Sequence, residues 1–365
     1  MAMEITRRSL LNGILASTAS MTLSPTVFSM VGPGPSIIRL SSNENPYGPS
    51  SKALKAAAKA SAKGAYYPGR IAAELMQMIA DKNKLEINQI AISSGSNEAL
   101  SAAVVGWGKS GKIISPSLTY DLHLGYAQRI GTKVLRVPLD NDMSIDLDAM
   151  HAAVDKSVSM IYLCNPNNPT GKTIDGDTLR NFCRVVGKKV TVLVDEAYNE
   201  LTDNPEYTSM VDLIREGENV IVMRTFSKLY GMAGMRIGYA MGREDLITKV
   251  RNHVMAWPNI VGLAAAHACY NENDFIKFSL NKINQGRALV NKVFMEHGIK
   301  PLPSETNFVF ADIGRNVKNF EVKMRQENVL VHREYSLYPN HLRVSMGKME
   351  DLQIFADAFK KVYTS

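Results

Sequence analysis

The sequence predicts an α/β protein with a mostly parallel central sheet, helices on both faces of that sheet, and a smaller α+β domain towards the C-terminus. Three observations carry this. A chain of 365 residues suits about two domains and a large core. Through its middle, apolar runs of strand length alternate with amphipathic helical stretches; the runs are 89–93, 112–115, 134–137, 160–164, 190–195, 220–225 and 237–241. Beyond residue 243 the pattern turns more helical, with a long stretch over 274–297, short strands near 307–311, 329–332 and 342–345, and a closing helix over 349–362.

The βα alternation demands parallel strands, because each helix returns the chain to the same sheet edge before the next strand begins. A large domain is therefore expected over 61–260 and a small one over 261–365, with the segment 32–60 packing against the small domain. Residues 1–31 read differently. Thr6-Arg7-Arg8-Ser9-Leu10-Leu11 sets paired arginines before a weakly apolar stretch that contains Asn12, Gly13 and Pro25. This has the form of a twin-arginine export signal rather than a membrane anchor. It implies export of an already folded protein; without it the chain would be cytoplasmic.

Composition narrows the function. Hydrophobic residues make up 45% and charged residues 21%, the proportions of a soluble globular protein. The net charge of +7 is scattered rather than gathered into a tract, so no nucleic-acid role is expected and small anionic ligands remain open. The three cysteines, Cys164, Cys183 and Cys269, have no metal-ligand or disulfide spacing, and no metal is expected.

Gly108-Lys109-Ser110 imitates the end of a phosphate-binding P-loop, and the acidic run at Val194-Asp195-Glu196 imitates an ATPase strand. The order is wrong, however. A P-loop runs strand, glycine loop, helix, whereas here a helix precedes Gly108 and a strand follows Ser110.

Four segments place polar groups where an open α/β sheet exposes its ligand site, at strand ends and the loops after them. Ser93-Ser94-Gly95-Ser96-Asn97-Glu98 is a small-residue turn opening a helix, whose free N–H groups suit a phosphate, although taken alone simple capping by Ser96 explains it better. Asn165-Pro166-Asn167-Asn168-Pro169 is a rigid polar turn that presents the Asn168 amide. Val194-Asp195-Glu196-Ala197-Tyr198 ends an apolar strand in a carboxylate, which on burial requires a cationic partner. Arg224-Thr225-Phe226-Ser227-Lys228 runs from a strand into a loop, with Arg236 following among small residues.

Taken together in this order, Asn168, Asp195, Tyr198, Lys228 and Arg236 resemble the pyridoxal-phosphate-dependent aminotransferases of the aspartate aminotransferase fold, fold type I. Within these the chain looks most like the histidinol-phosphate aminotransferase branch, through Leu40-Ser41-Ser42-Asn43-Glu44-Asn45-Pro46-Tyr47-Gly48, Tyr66-Tyr67-Pro68-Gly69, Ser304-Glu305-Thr306-Asn307-Phe308 and Leu342-Arg343-Val344-Ser345-Met346-Gly347. The resemblance spans about residues 37–360.

The resemblance implies pyridoxal 5'-phosphate as cofactor, joined to the Lys228 amine as an imine, with Asp195 keeping its ring nitrogen protonated. It implies Asn168 and Tyr198 on the ring oxygen and Tyr120 stacked on the ring. Ser96, Asn97, Thr225, Ser227 and Arg236 would hold the phosphate. Tyr67 would reach that phosphate from the neighbouring subunit, so a homodimer is expected. Arg343 is the expected anion-binding arginine for substrate, with Asn307, Tyr47 and His332 as companions. The partners implied are a small amino donor and a 2-oxo acid acceptor such as 2-oxoglutarate.

One departure bears on the donor. The branch usually has an arginine where this chain has His332, with Arg333 one place on and facing the other way. An aromatic or basic amino acid therefore stands beside histidinol phosphate as donor. Two other functions fit the same motifs: a decarboxylase resembling threonine-phosphate decarboxylase, and a non-catalytic binding protein that kept the fold.

Overall fold

The computed structural model describes residues 37–332 and 334–364; the proposed export signal and Arg333 lie outside them. The central sheet has seven strands: β2 (Ile90–Ser93), β3 (Lys112–Pro116), β4 (Val134–Val137), β5 (Val158–Cys164), β6 (Thr191–Asp195), β7 (Val220–Thr225) and β8 (Gly238–Gly242). Their spatial order is β2-β8-β7-β6-β5-β3-β4. Pairings from β4 through β7 are parallel, whereas β8 runs antiparallel to both β7 and β2. The expected strands are all present, with ends displaced by at most two residues.

Alternation along each strand builds two apolar layers, because successive side chains leave opposite faces of a sheet. Val192 and Val194 of β6 and Val220 and Val222 of β7 enter one core with Leu179, Val186 and Ile214. Leu193, Ile221 and Met223 enter the other, with Leu100, Val104 and Trp107 of the helix Ser96–Gly108. Every residue of β6 is buried, which is why this strand reads as an uninterrupted apolar run.

Outside this sheet, β9 (Phe308–Asp312) and β11 (His341–Ser345) pair antiparallel, with Arg343 opposite Phe310 and Ser345 opposite Phe308. The short β1 (Ile38–Leu40) pairs in parallel with β10 (Val329–Val331); β1 was not among the expected strands. Helices over Asn273–Glu296, Val317–Gln326 and Met349–Thr364 accompany these strands. No helix among the described residues is long and apolar enough to cross a membrane. Gly108-Lys109-Ser110 closes the helix Ser96–Gly108 ahead of β3, the reverse of P-loop order.

Candidate active site

The chain after each of β2, β5, β6 and β7 emerges at their carboxyl ends, where a parallel sheet leaves its crevice. β5 runs into the Asn165–Thr170 turn, β6 ends on Asp195, and β7 leads through Thr225 to Ser227 and Lys228. Because β8 is antiparallel, its first residue lies at that same edge: Gly238 sits beside both Ser93 and Thr225. Arg236, two residues earlier, is thereby delivered to the crevice.

Asp195 is 2% exposed. Its carboxylate accepts from the Ala197 N–H at 3.2 Å and the Tyr162 hydroxyl at 3.3 Å. The cationic partner expected for it is not present as a direct ion pair; among the described residues its listener at longer range is Lys228, and burial pushes the carboxyl up to about 7. Burial and the nearby Arg343 charge lower the Lys228 ammonium to about 8. Each group feels the other's charge, so acid and amine share one enclosed region. Lys228 Nζ donates to the backbone oxygen of Asn43 at 3.1 Å.

The Tyr198 hydroxyl accepts from Asn43 Nδ2 at 3.0 Å and Asn168 Nδ2 at 3.4 Å. Asn168 Oδ1 in turn accepts from Arg343 at 2.7 Å, while the other arm of Arg343 donates to the Ser41 carbonyl at 2.7 Å. Arg343 is 5% exposed, and its Nε has no partner. A buried guanidinium with no carboxylate against it is an anion site in waiting.

A second such site lies at the start of the helix Ser96–Gly108. Its N-cap residue, Gly95, has φ 84° and provides no side-chain cap, so first-turn N–H groups point outward unpaired by the helix. A Cβ on Gly95 would stand 2.1 Å from the Arg236 guanidinium, and one on Gly238 would stand 2.1 Å from the Ser96 nitrogen. Two glycines thus let the arginine and the helix start converge. Arg236 adopts φ 58°, a left-handed conformation that costs a non-glycine residue about 1–2 kcal/mol. It donates to Ser227 Oγ at 3.3 Å and the Ala233 carbonyl at 2.8 Å, and Thr225 Oγ1 donates to Ser227 Oγ at 2.9 Å. Helix N–H groups, two hydroxyls and one guanidinium form a cradle matched to a phosphate dianion.

Tyr120 joins the cradle to the carboxylate. Its hydroxyl donates to Asn97 Oδ1 at 3.3 Å, and its ring stacks on His123 at 6.0 Å. His123 meets the Tyr162 ring edge-on at 4.4 Å, and Tyr162 reaches Asp195. Full burial lowers His123 to about 3, so the imidazole is neutral.

Of the remaining expected residues, Asn307 lies in the cluster, donating to the Asn43 and Glu44 carbonyls at 2.9 and 3.2 Å. His332 is nearby: its N–H donates to the Arg343 carbonyl at 3.3 Å. Tyr47 turns elsewhere, accepting from the Met349 N–H at 3.0 Å and packing on Phe278. Tyr67 is 87% exposed on the surface and makes no hydrogen bond to the cradle of its own chain.

Sequence reasoning missed Asn43, Tyr162 and His123. Asn43 lay within the 40–48 segment, and its φ of 53° suits an asparagine; Tyr162 was the one hydroxyl in the apolar run 160–164. His123 gave no signal of its own.

Residues 35–359 match the sequence model of the aminotransferase class I and II family. The chain is 34% identical to histidinol-phosphate aminotransferase 2 of Hydrogenovibrio crunogenus over 334 residues, covering 90% of this chain and 89% of that protein. It is 31% identical to the histidinol-phosphate aminotransferase of Brevibacillus brevis, over 90% of this chain and 91% of that one. Among solved structures, the histidinol-phosphate aminotransferase of Sinorhizobium meliloti in complex with pyridoxal-5'-phosphate superposes with a TM-score of 0.81 at 27% identity, covering 95% of this chain and 99% of that one.

Proposed function

The chain belongs to the class I and II aminotransferases, and we propose that within them it moves an amino group from histidinol phosphate or an aromatic amino acid to a 2-oxo acid such as 2-oxoglutarate. It is an enzyme, a pyridoxal-phosphate-dependent aminotransferase. Its relatives favour neither a decarboxylase nor a non-catalytic binding protein.

The residues present fit the cofactor. The phosphate cradle has its donors in Ser227, Thr225 and Arg236, with the Glu98 carboxylate engaged by the Ser94 N–H at 2.6 Å, and the buried Asp195 has no ion-paired cation among the described residues, which suits a protonated ring nitrogen. When bound, the cofactor supplies an electron-poor ring that accepts the electron pair left by a departing α-proton.

We assign the residues as follows. Lys228 would hold the cofactor covalently, and its amine, once freed, would move the proton taken from the donor's α-carbon. The lowering of Lys228 to about 8 suits an amine that must be neutral part of the time near neutral pH. Asp195 holds the ring nitrogen's proton. Asn168 and Tyr198 hold the ring oxygen, and Tyr120 stacks on the ring. Ser96 and Asn97 N–H groups, Thr225, Ser227 and Arg236 hold the phosphate, and Arg343, with Asn307 beside it, takes the anionic group of donor and acceptor in turn.

The observation that carries this is the half-buried Lys228 and the buried Asp195 together at the carboxyl edge of the sheet, each within reach of the other's charge. The test is a panel of amino donors, including histidinol phosphate, phenylalanine, tyrosine and aspartate, with 2-oxoglutarate. Glutamate formation from histidinol phosphate or an aromatic donor supports the reading, and carbon dioxide release without glutamate sinks it.

The exposure of Tyr67 supports a homodimer in which this tyrosine serves the neighbouring site. Mixing Lys228→Ala with Tyr67→Phe protomers should give hybrid dimers with one site bearing both changes and one bearing neither. Activity above either parent supports the shared site; none argues against it. The Arg7-Arg8 pair supports export in the folded state. A reporter fused behind residues 1–31 should leave the cytoplasm, and Arg7→Lys with Arg8→Lys should retain it.

A further inference from the structure

The loop between β10 and β11 brings Tyr335 onto the sheet face that presents Arg343. Arg343 and Phe310 are directly opposed in the β9–β11 pair, so their side chains leave the same face. Tyr335 packs edge-on against Phe310, with ring centroids 5.5 Å apart at 90°, and lies against His332 at 4.8 Å. These contacts fix the ring. Its hydroxyl is shut off from solvent and has no hydrogen-bond partner among the described residues.

The charges of Arg343 and Asp121 both act on that hydroxyl. Asp121 directly follows Tyr120 and occupies the N-cap position of the helix Leu122–Arg129. The hydroxyl therefore belongs to the face of the β9–β11 pair that presents the anion-binding arginine, whose charge it feels. Burial pushes the phenol up to about 12, so it keeps its proton and acts as a donor at neutral pH. A buried donor left unpaired costs about 1–3 kcal/mol, a cost that a ligand's acceptor atom would remove.

We propose that Tyr335 is a specificity-determining residue, donating a hydrogen bond to an acceptor atom on a ring-bearing side chain of the amino donor. This rests on the functional reading above, which places the donor's anionic group on Arg343. It goes further by naming the feature read in the side chain. A phenol oxygen and an imidazole nitrogen share that chemistry, and a plain phenyl ring lacks it.

Tyr335→Phe removes one oxygen and keeps the ring that packs on Phe310. Binding of three unreactive acids to cofactor-loaded protein would be measured by calorimetry: 3-(4-hydroxyphenyl)propionate, 3-(imidazol-4-yl)propionate and 3-phenylpropionate. The substitution should weaken one or both of the first two about tenfold, leave the third and the cofactor absorbance unchanged, and hold or raise the melting temperature, since it removes an unpaired buried donor. Which of the two responds identifies the source of the acceptor. Equal weakening of all three, no weakening, or failure of the parent to bind either acceptor-bearing acid overturns the proposal. If the parent transaminates no donor but Tyr335→Phe still discriminates among the acids, the functional reading falls and the Tyr335 assignment stands. If the parent transaminates and the variant treats all three acids as the parent does, only the assignment falls.

Discussion

Lys228 Nζ donates to the backbone oxygen of Asn43 at 3.1 Å, across 185 residues of sequence. Asn43 also donates to Tyr198, exchanges hydrogen bonds with Ser345, and accepts from Asn307 through the oxygen that Lys228 uses. The N-terminal segment is thus a wall of the site, and one asparagine ties together the residue before β9, β11 and the loops after β6 and β7.

Substituting Asn43 separates its side chain from its backbone conformation. Asn43→Ala loses two side-chain hydrogen bonds and strains an alanine at positive φ, together costing ~3 kcal/mol. Asn43→Gly loses the same bonds but relaxes the backbone, and should cost ~1 kcal/mol less. Denaturant unfolding of the two variants measures the difference; equal losses would remove backbone strain from the explanation.

Lys228→Ala should abolish turnover and covalent attachment while leaving the fold intact. Borohydride reduction followed by mass spectrometry should label the parental protein at Lys228 and leave the variant unlabelled. Transamination by the variant at the parental rate would refute the assignment.

Asp195 gives a pH signature to the cofactor-free protein. Burial raises its carboxyl to about 7 in the folded protein, against 3.8 for an unperturbed aspartate, so between those pH values the folded state binds the extra proton. Stability from this group is present at low pH and is lost as pH rises towards 7, by ~4 kcal/mol in all. Asp195→Asn should flatten that part of the stability profile between pH 4 and 7, seen in thermal melts. It should also cut turnover by more than ~100-fold, because a neutral amide cannot hold the ring proton.

Gly95→Ala should imitate Arg236→Ala. The new methyl would occupy the place of the Arg236 guanidinium, so both substitutions weaken cofactor binding, by about tenfold or more if a charge-assisted hydrogen bond is lost. Equilibrium dialysis measures this; unchanged cofactor affinity in Gly95→Ala would mean the guanidinium is not part of the cradle.

Glu196 is fully buried and accepts from Arg224, Ser209 and the Met210 N–H. Glu196→Gln leaves Arg224 buried without its counter-charge and should destabilise by ~3–5 kcal/mol. Adding Arg224→Met should recover part of that loss, as denaturant midpoints would record.

The sequence by itself determined the strands, the parallel order of most of them, and the loops that carry Asn168, Asp195, Lys228 and Arg236. These follow from local rules: apolar runs such as 190–195 are buried on both faces of the sheet, and polar groups at their ends mark where strands open into loops at the crevice. Tertiary structure alone decided how those loops meet. The antiparallel turn of β8 brings Arg236 to the helix start at Ser96, and pairing of β9 with β11 sets Arg343 beside Phe310. The distant Asn43 reaches Lys228 only once the chain has folded back. Periodicity records which face a side chain takes within its own element, whereas a site is made from contacts between elements, whose partners no local pattern names.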